Sequence, residues 1–334
     1  MGAYLEQSLG WQNGLVFVVS AAVLLGIVLG FVTYSIYFQR KILGWMQLRV
    51  GPNRVGPFGL LQTVADVLKL LLKEDIIPKA ADKPLFIIAP VIAFMPAFAV
   101  LAVMPFTENL HFADVGVGLL YYIAISGITV LGIVTGGWAS NNKWALIGAM
   151  RSAAQMISYE IPLVMSVVGV ILMTGSLNLI DIVEKQRDMH MWFMIPQFLG
   201  FIIFVIAQLA ELSRTPFDLT EAESELISGY HVEYSGFRWA FFMLTEYVYI
   251  FAMASLTTVL FLGGWLPPFE FLSFIPGIVW FILKFGAIVF FIFWLQATFP
   301  RMRVDQLMQM GWKVLLPLAL VNILITAIVK TVLM

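Results

Sequence analysis

Eight stretches of the chain are apolar over about the 20 residues that a helix needs to cross a bilayer core of ~30 Å. They run roughly over 14–38, 85–106, 117–139, 145–174, 192–212, 239–265, 276–298 and 312–329. A backbone in lipid must satisfy its own hydrogen bonds, so repeated spans of this length commit the chain to helices. The expected fold is all-α, a polytopic membrane protein of about eight transmembrane helices forming one membrane domain over residues 1–334. Composition agrees, since 61% of residues are hydrophobic and only 12% charged, about half the charged share of a soluble domain. No basic residue precedes Arg40, so the first apolar stretch lacks the charged start of a cleaved signal and reads as a permanent span.

Orientation follows from lysine and arginine. Of nineteen, only Lys185, Arg187 and Lys330 fall on the side of the even-numbered loops and the C-terminal end, and Lys284 lies within the seventh span. The other fifteen gather in or beside the segments after spans 1, 3, 5 and 7. The positive-inside rule then places those segments inside and both termini outside, as in a multi-pass protein of a bacterial plasma membrane. The first inner loop is too long for a simple connector. Leu60, Leu61, Val64, Leu68, Leu71 and Leu72 share one helical face, and Gln62, Asp66, Lys69 and Lys73 another. An interfacial amphipathic helix over about 58–73 is expected, either an anchor for the loop or a lip around the entrance for a lipid-soluble ligand. The run from Gly51 to Pro57 before it is dense in turn formers.

The absence of cysteine excludes thiolate-held iron–sulfur clusters, disulfides and thiol catalysis. His111, His190 and His231 all fall in expected loops, so no bis-histidine haem is foreseen. Without a phosphate-cradling glycine motif, neither a flavin or other dinucleotide nor a nucleotide is expected, and a net charge of −1 suggests no nucleic acid. No metal site is read either. Any electrons must come from a partner.

Seven of the twenty acids fall between Glu211 and Glu246: Glu211, Asp218, Glu221, Glu223, Glu225, Glu233 and Glu246. The inner loop that holds most of them spans about 213–238. Crowded carboxylates disfavour joint ionisation, and burial favours protonation further, so such a row can pass protons. A solvated acidic loop is the plainer alternative, and calcium chelation a third, although the central glycine of a calcium loop is missing. Glu160, Glu211, Glu246 and Lys284 stand within or at the ends of spans, where a charge costs ~2.5–3.5 kcal/mol or more and is functional unless paired. Local pairs such as Glu160 with Arg151, or Glu211 with Arg214, are the structural alternative.

Two segments carry a resemblance. Gly44-Trp-Met-Gln-Leu-Arg49-Val-Gly-Pro-Asn53, continuing to Gln62 and the Asp66, Lys69 and Lys73 stretch, is similar to the first-loop motif of the H-subunit family of respiratory NADH:quinone oxidoreductase, complex I. The run from Ala210 through Arg214, Phe217 and Glu225 to Gly236 resembles the second motif of that family. Gly137–Lys143, Arg151–Glu160 and Pro300–Met308 support it. The resemblance implies a quinone chamber shared with peripheral subunits, one of which carries the terminal iron–sulfur cluster, and contact with small and antiporter-like membrane subunits. Quinone is then a shared substrate, ubiquinone or menaquinone. By match, Arg40, Arg49, Asp66, Lys69, Arg214, Phe217 and Arg301 line or support the chamber. Glu160, Glu211, Asp218, Glu221, Glu223, Glu225, Glu233 and Glu246 form the proton path, and Lys284 matches a family lysine. The chain departs from the family at Gln39, where glutamate is usual, and at Gln296, where arginine is usual. A related complex with ferredoxin or another donor, or a stand-alone ion channel or transporter, is the competing reading.

Overall fold

The computed structural model describes residues 11–220, 223–272 and 274–333, which among themselves form helices, turns and no strand. Seven helical segments have the length and apolar composition to cross a membrane: Val18–Met46, Lys83–Val103, Gly118–Ala139, Lys143–Thr174, Gly236–Phe261, Gly277–Thr298 and Val304–Val332. An eighth apolar helix, Phe198–Glu211, is shorter. The chain is a polytopic integral membrane protein. We number the α-helices α1 (Trp11–Met46), α2 (Gln62–Leu72), α3 (Lys83–Ala99), α4 (Gly118–Ser126), α5 (Ile128–Ala139), α6 (Lys143–Thr174) and α7 (Leu179–Asp188). They continue as α8 (Phe198–Glu211), α9 (Glu223–Leu226), α10 (Gly236–Phe261), α11 (Gly277–Thr298), α12 (Val304–Gln309) and α13 (Leu316–Leu333).

Helix α10 is the axis of the bundle. Of its most apolar stretch 89% is buried, against 17% for α1 and 22% for the last span, which therefore face lipid or other subunits. A helix surrounded by protein can carry Glu246, Tyr247 and Tyr249 without exposing them to hydrocarbon. Its two ends are held differently. At the far end, Met194 N–H donates to Phe261 O (2.9 Å) and Gln186 Nε2 to Val259 O (3.0 Å). Near the start of α10, four connecting segments interlock. Ile76 N–H donates to Ser235 Oγ (3.0 Å), Asp82 N–H to Ala139 O (3.0 Å), and Met302 N–H to Pro216 O (3.0 Å). This is the end that carries most of the basic residues.

Three departures from the expected spans have local causes. The stretch at 192–212 turns helical only at Phe198, because Pro196 supplies no N–H and the buried Gln197 side chain is drawn to Thr326 Oγ1 (2.7 Å) and Asn322 Nδ2 (3.0 Å). The third span is interrupted at Gly127, between α4 and α5. The connector after α6, where only loop is expected, holds the helix α7, capped by Asn178, whose Oδ1 accepts from Ile180 N–H (2.9 Å). Its buried Leu179, Ile182, Val183 and Gln186 keep helical spacing, a signal present in the sequence.

The amphipathic helix in the first long loop begins at Gln62, four residues later than expected, after a bend in which Gly59 has φ 82° and leaves no room for a Cβ against Pro52 O. Tyr37 OH donates to Phe58 O (2.9 Å), fixing the bend to α1. Leu61 and, within α2, Val64 and Leu68 are exposed, while Thr63, Asp66, Val67, Lys69, Leu70 and Leu71 line the space between α1 and α10. Part of the apolar face therefore points away from the protein, and the side turned toward it mixes polar and apolar groups.

Candidate functional site

Helices α1, α2 and α10 enclose a cleft of about 530 Å³. Its walls are mostly apolar, with Leu29, Val32, Ile36, Phe241, Met243 and Leu244 among them, and its polar groups are few, chiefly Thr33, Arg40, Thr63, Asp66, Lys69 and Tyr247. This is the build of a site for an apolar ligand with a small polar head. Arg40 Nη1 and Asp66 Oδ2 form an ion pair at 2.7 Å, and Gln62 Nε2 donates to Asp66 Oδ1 at 3.2 Å. Both charged side chains are partly exposed, so the pair fixes the position of α2 against α1 more than it stabilises the fold.

Glu246 and Tyr247 follow one another on α10 and so point about 100° apart. Tyr247 lines the cleft, whereas Glu246 lines a second, smaller cavity of about 40 Å³. Arg214, from the loop after α8, joins them: its Nη2 lies 3.1 Å from Glu246 Oε2 and its guanidinium 4.8 Å from the Tyr247 ring centroid. Arginine can serve both contacts at once because its planar cation pairs along the edge and stacks on the face. Tyr247 OH donates to Gln39 Oε1, and Gln39 Nε2 donates to Gln296 Oε1 at 2.9 Å. Tyr230 OH reaches Glu246 Oε1 at 3.4 Å. A polar row therefore runs from Gln296 on α11 through Gln39, Tyr247, Arg214 and Glu246 to Tyr230. The two positions at which the sequence departs from the resembled family form a single contact, a neutral amide pair.

This inner cavity is walled by Glu211, Glu246, Tyr249, Thr129, Ser152 and Thr245, among others, and is roomy enough for about three waters at ~10–15 Å³ each. Glu211, the last residue of α8, has its Oε2 buried with no hydrogen-bond partner among the described residues. Glu160, on α6, sits against Gly127, where an added Cβ would lie 2.9 Å from its Oε1. Glu160, Glu211 and Tyr249 lie within electrostatic reach of one another. The three acids of the spans, Glu160, Glu211 and Glu246, are thus gathered around one cavity and its border.

The remaining site candidates separate by place. Asp218 pairs with Arg301 (3.0 Å); burial nonetheless holds its carboxyl above the ordinary range, against the pull of Arg301. Glu225 pairs with Arg151 (2.7 Å), and Glu233 accepts from Asn142 Nδ2 (2.6 Å). Glu221 lies outside the described residues, as does the side chain of Glu223. In place of the local pairs weighed as the structural alternative stand long-range ones, with Arg151 on Glu225 and Arg214 on Glu246. Arg49 is exposed on the bend after α1, away from the cleft.

Two further candidates lie apart from the cleft and the cavity. Phe217 is buried against α6, its ring 5.6 Å from Tyr159 and its carbonyl held by Gln155 Nε2 (2.8 Å), so it anchors the acidic loop and does not line the cleft. Lys284 donates to the carbonyls of Leu262 (2.6 Å), Gly264 (3.1 Å) and Leu266 (2.6 Å) and lies 4.4 Å from the Trp192 ring centroid. At about 1.5 Å per helical residue, Leu262 is roughly 24 Å along α10 from Glu246. Lys284 caps the far end of α10 and stands apart from the acids. Sequence reading missed Tyr230, Tyr247, Tyr249 and Thr129. The signal available was two tyrosines close to a glutamate in an otherwise apolar span.

Comparison with known proteins bears on this geometry. A family model described as NADH dehydrogenase matches residues 19–327. The H subunit of the NADH-quinone oxidoreductase of Brevibacillus brevis is 69% identical over 98% of this chain and 97% of its own length. The corresponding H subunits of Bacillus cytotoxicus and Anoxybacillus flavithermus are 70% and 68% identical, over 98% and 99% of this chain and 97% and 98% of their own lengths. Identity at this level over nearly the whole of both chains leaves no room for a different fold, and the chain belongs to the NADH dehydrogenase family, among the H subunits of NADH-quinone oxidoreductases.

Proposed function

We propose that the cleft between α1, α2 and α10 is the quinone passage of an NADH-quinone oxidoreductase, and that Glu246, Glu211 and Glu160 carry the charge that couples quinone reduction to proton translocation. The chain is a membrane subunit of that multisubunit enzyme and is not catalytic alone. Without cysteine it holds no iron–sulfur ligands. Electrons reach the quinone from a peripheral partner that carries such a cluster, and the exposed faces of α1 and α13 meet lipid and the other membrane subunits. The single observation that supports this reading is Arg214, which touches the cleft wall at Tyr247 and the inner cavity at Glu246.

Reducing a quinone to a quinol takes two electrons and two protons. Electrons arriving first leave negative charge on the quinone, and Arg214 lies where that charge is felt. An anion near Tyr247 draws the guanidinium toward the cleft and weakens its hold on Glu246. Glu246 then takes a proton, which the waters of the cavity relay from Glu211, itself beside Glu160. The proton bound by Glu246 compensates the charge that Arg214 no longer neutralises. The polar row behind Tyr247 ends in the neutral Gln39–Gln296 pair, so the electrostatic response is directed toward Glu246.

The test narrows the cleft. Ala240→Trp, on the wall of α10, should raise the KM for a long-tailed quinone roughly tenfold, leave a short-tailed quinone less affected, and spare NADH oxidation by a hydrophilic artificial acceptor. Unchanged KM values for both quinones in an assembled complex would exclude the cleft as the passage. Orientation is tested separately. The lack of native cysteine permits single-cysteine labelling. Under the proposed topology, in a bacterial plasma membrane with both termini outside, Asp188→Cys reacts with an impermeant thiol reagent added to cells and Asn141→Cys does not. Outside labelling at position 141 would reverse the assignment.

A further inference from the structure

The interruption of the third span has a specific cause in the hydrogen-bond ladder. In a continuous helix the Val130 N–H would bond Ser126 O, four residues back. Here it bonds Gly127 O, at 3.3 Å, and Ser126 O accepts from Tyr249 OH of α10 at 3.0 Å. The phenolic proton is thereby committed to the carbonyl. The hydrogen bond between Tyr249 OH and Thr129 Oγ1, at 2.6 Å, must then run from threonine to tyrosine. A side chain inserted in this way is a recognised cause of a helix break. Glu160 abuts the broken turn as well, with its Oε1 2.9 Å from where a Cβ on Gly127 would stand. Only glycine leaves that space open.

We propose that Tyr249 is a positioning residue of the acidic path: by holding Ser126 O out of the ladder it keeps the third span broken at Gly127, and the break is the seat of the Glu160 carboxylate. Tyr249 also lines the cavity shared by Glu211 and Glu246, so one side chain sets the wall of that cavity and the place of the third acid. Because the phenolic proton is bound to a backbone carbonyl, the Thr129–Tyr249 pair ends in a fixed acceptor. It orders the path without passing protons. This inference rests on the reading that Glu160 belongs to the path.

The experiment is a double-mutant cycle in assembled complexes reconstituted into proteoliposomes, with subunit content and turnover with a hydrophilic artificial acceptor checked for each variant. Tyr249→Phe keeps the ring and removes the hydroxyl. It should lower coupled quinone reduction and proton translocation roughly threefold to tenfold, the range of one lost hydrogen bond. Gly127→Ala, which crowds Glu160 directly, should give the same loss. In a Glu160→Gln background, adding Tyr249→Phe should cost nothing more, because its effect passes through Glu160. A structural role would instead multiply the two losses. Wild-type behaviour of Tyr249→Phe beside a defective Glu160→Gln would overturn this proposal alone, as would an equal loss in both backgrounds. Normal pumping by Glu160→Gln would remove Glu160 from the path, and with it the role given to the joint.

Discussion

Replacing Arg214 with alanine is expected to cut NADH:quinone turnover by about a hundredfold or more, while NADH oxidation by a hydrophilic artificial acceptor continues. Arg214 and Glu246 are 11% and 17% exposed, so their pair lies largely out of water. Removing one partner of a buried pair costs about 3–5 kcal/mol, because the remaining charge stays buried without compensation. Part of that cost falls on folding and assembly, and the two contributions can be separated. Arg214→Ala with Glu246→Gln removes both charges, so subunit content should recover while coupled turnover does not. Arg214→Lys keeps the charge but loses the flat face that stacks on Tyr247, and should fall between. Normal quinone turnover in fully assembled Arg214→Ala complexes would contradict the proposed link between cleft and cavity.

Hydropathy made the spans readable because lipid imposes a length and a composition on every crossing helix. The carboxylates inside the spans stood out for the same reason: a charge in hydrocarbon is too costly to be incidental. Their partners did not. Glu160 with Arg151 and Glu211 with Arg214 were the local candidates, the second by its i,i+3 spacing, yet Arg151 reaches Glu225 and Arg214 reaches Glu246. Such pairs are set by the packing of α6, α8 and the acidic loop around α10, which local spacing does not encode. The partners of Lys284 were hidden for a related reason. In sequence it is another intramembrane charge, and only the folded turn after α10 offers the three carbonyls that bind it. Gly127 was indistinguishable from the other glycines of an apolar span until Tyr249 was found on the carbonyl before it. What the sequence does encode, and hydropathy alone passes over, is the helical spacing of α7 and the tyrosines that follow Glu246.

Proton translocation should depend on Glu211 and Glu246 more steeply than on any acid of the loop. Both line the inner cavity, and Glu211 keeps a buried oxygen without a hydrogen-bond partner among the described residues; Asp218 keeps one such oxygen too, but it, Glu225 and Glu233 lie outside that cavity, held by Arg301, Arg151 and Asn142 at the protein's basic end. A buried carboxylate with an open acceptor is costly unless a proton or a water fills the position, so the group is poised to change state when a neighbouring charge moves. Glutamine keeps size and hydrogen bonding and removes the titrating charge. Glu211→Gln and Glu246→Gln should therefore assemble, yet lose roughly tenfold or more in coupled quinone reduction, with ΔpH formation falling in step. Glu→Asp at either position keeps the charge on a shorter arm and should be milder. Glu225→Gln breaks only a half-exposed pair with Arg151 and should change turnover less than about twofold. The measurement follows NADH oxidation and ΔpH together in proteoliposomes containing complexes of verified composition. If Glu225→Gln proves as damaging as Glu246→Gln, the loop carries the charge. If both cavity variants pump normally, Glu246 serves only to hold Arg214, and the cavity is a packing defect between α6, α8 and α10.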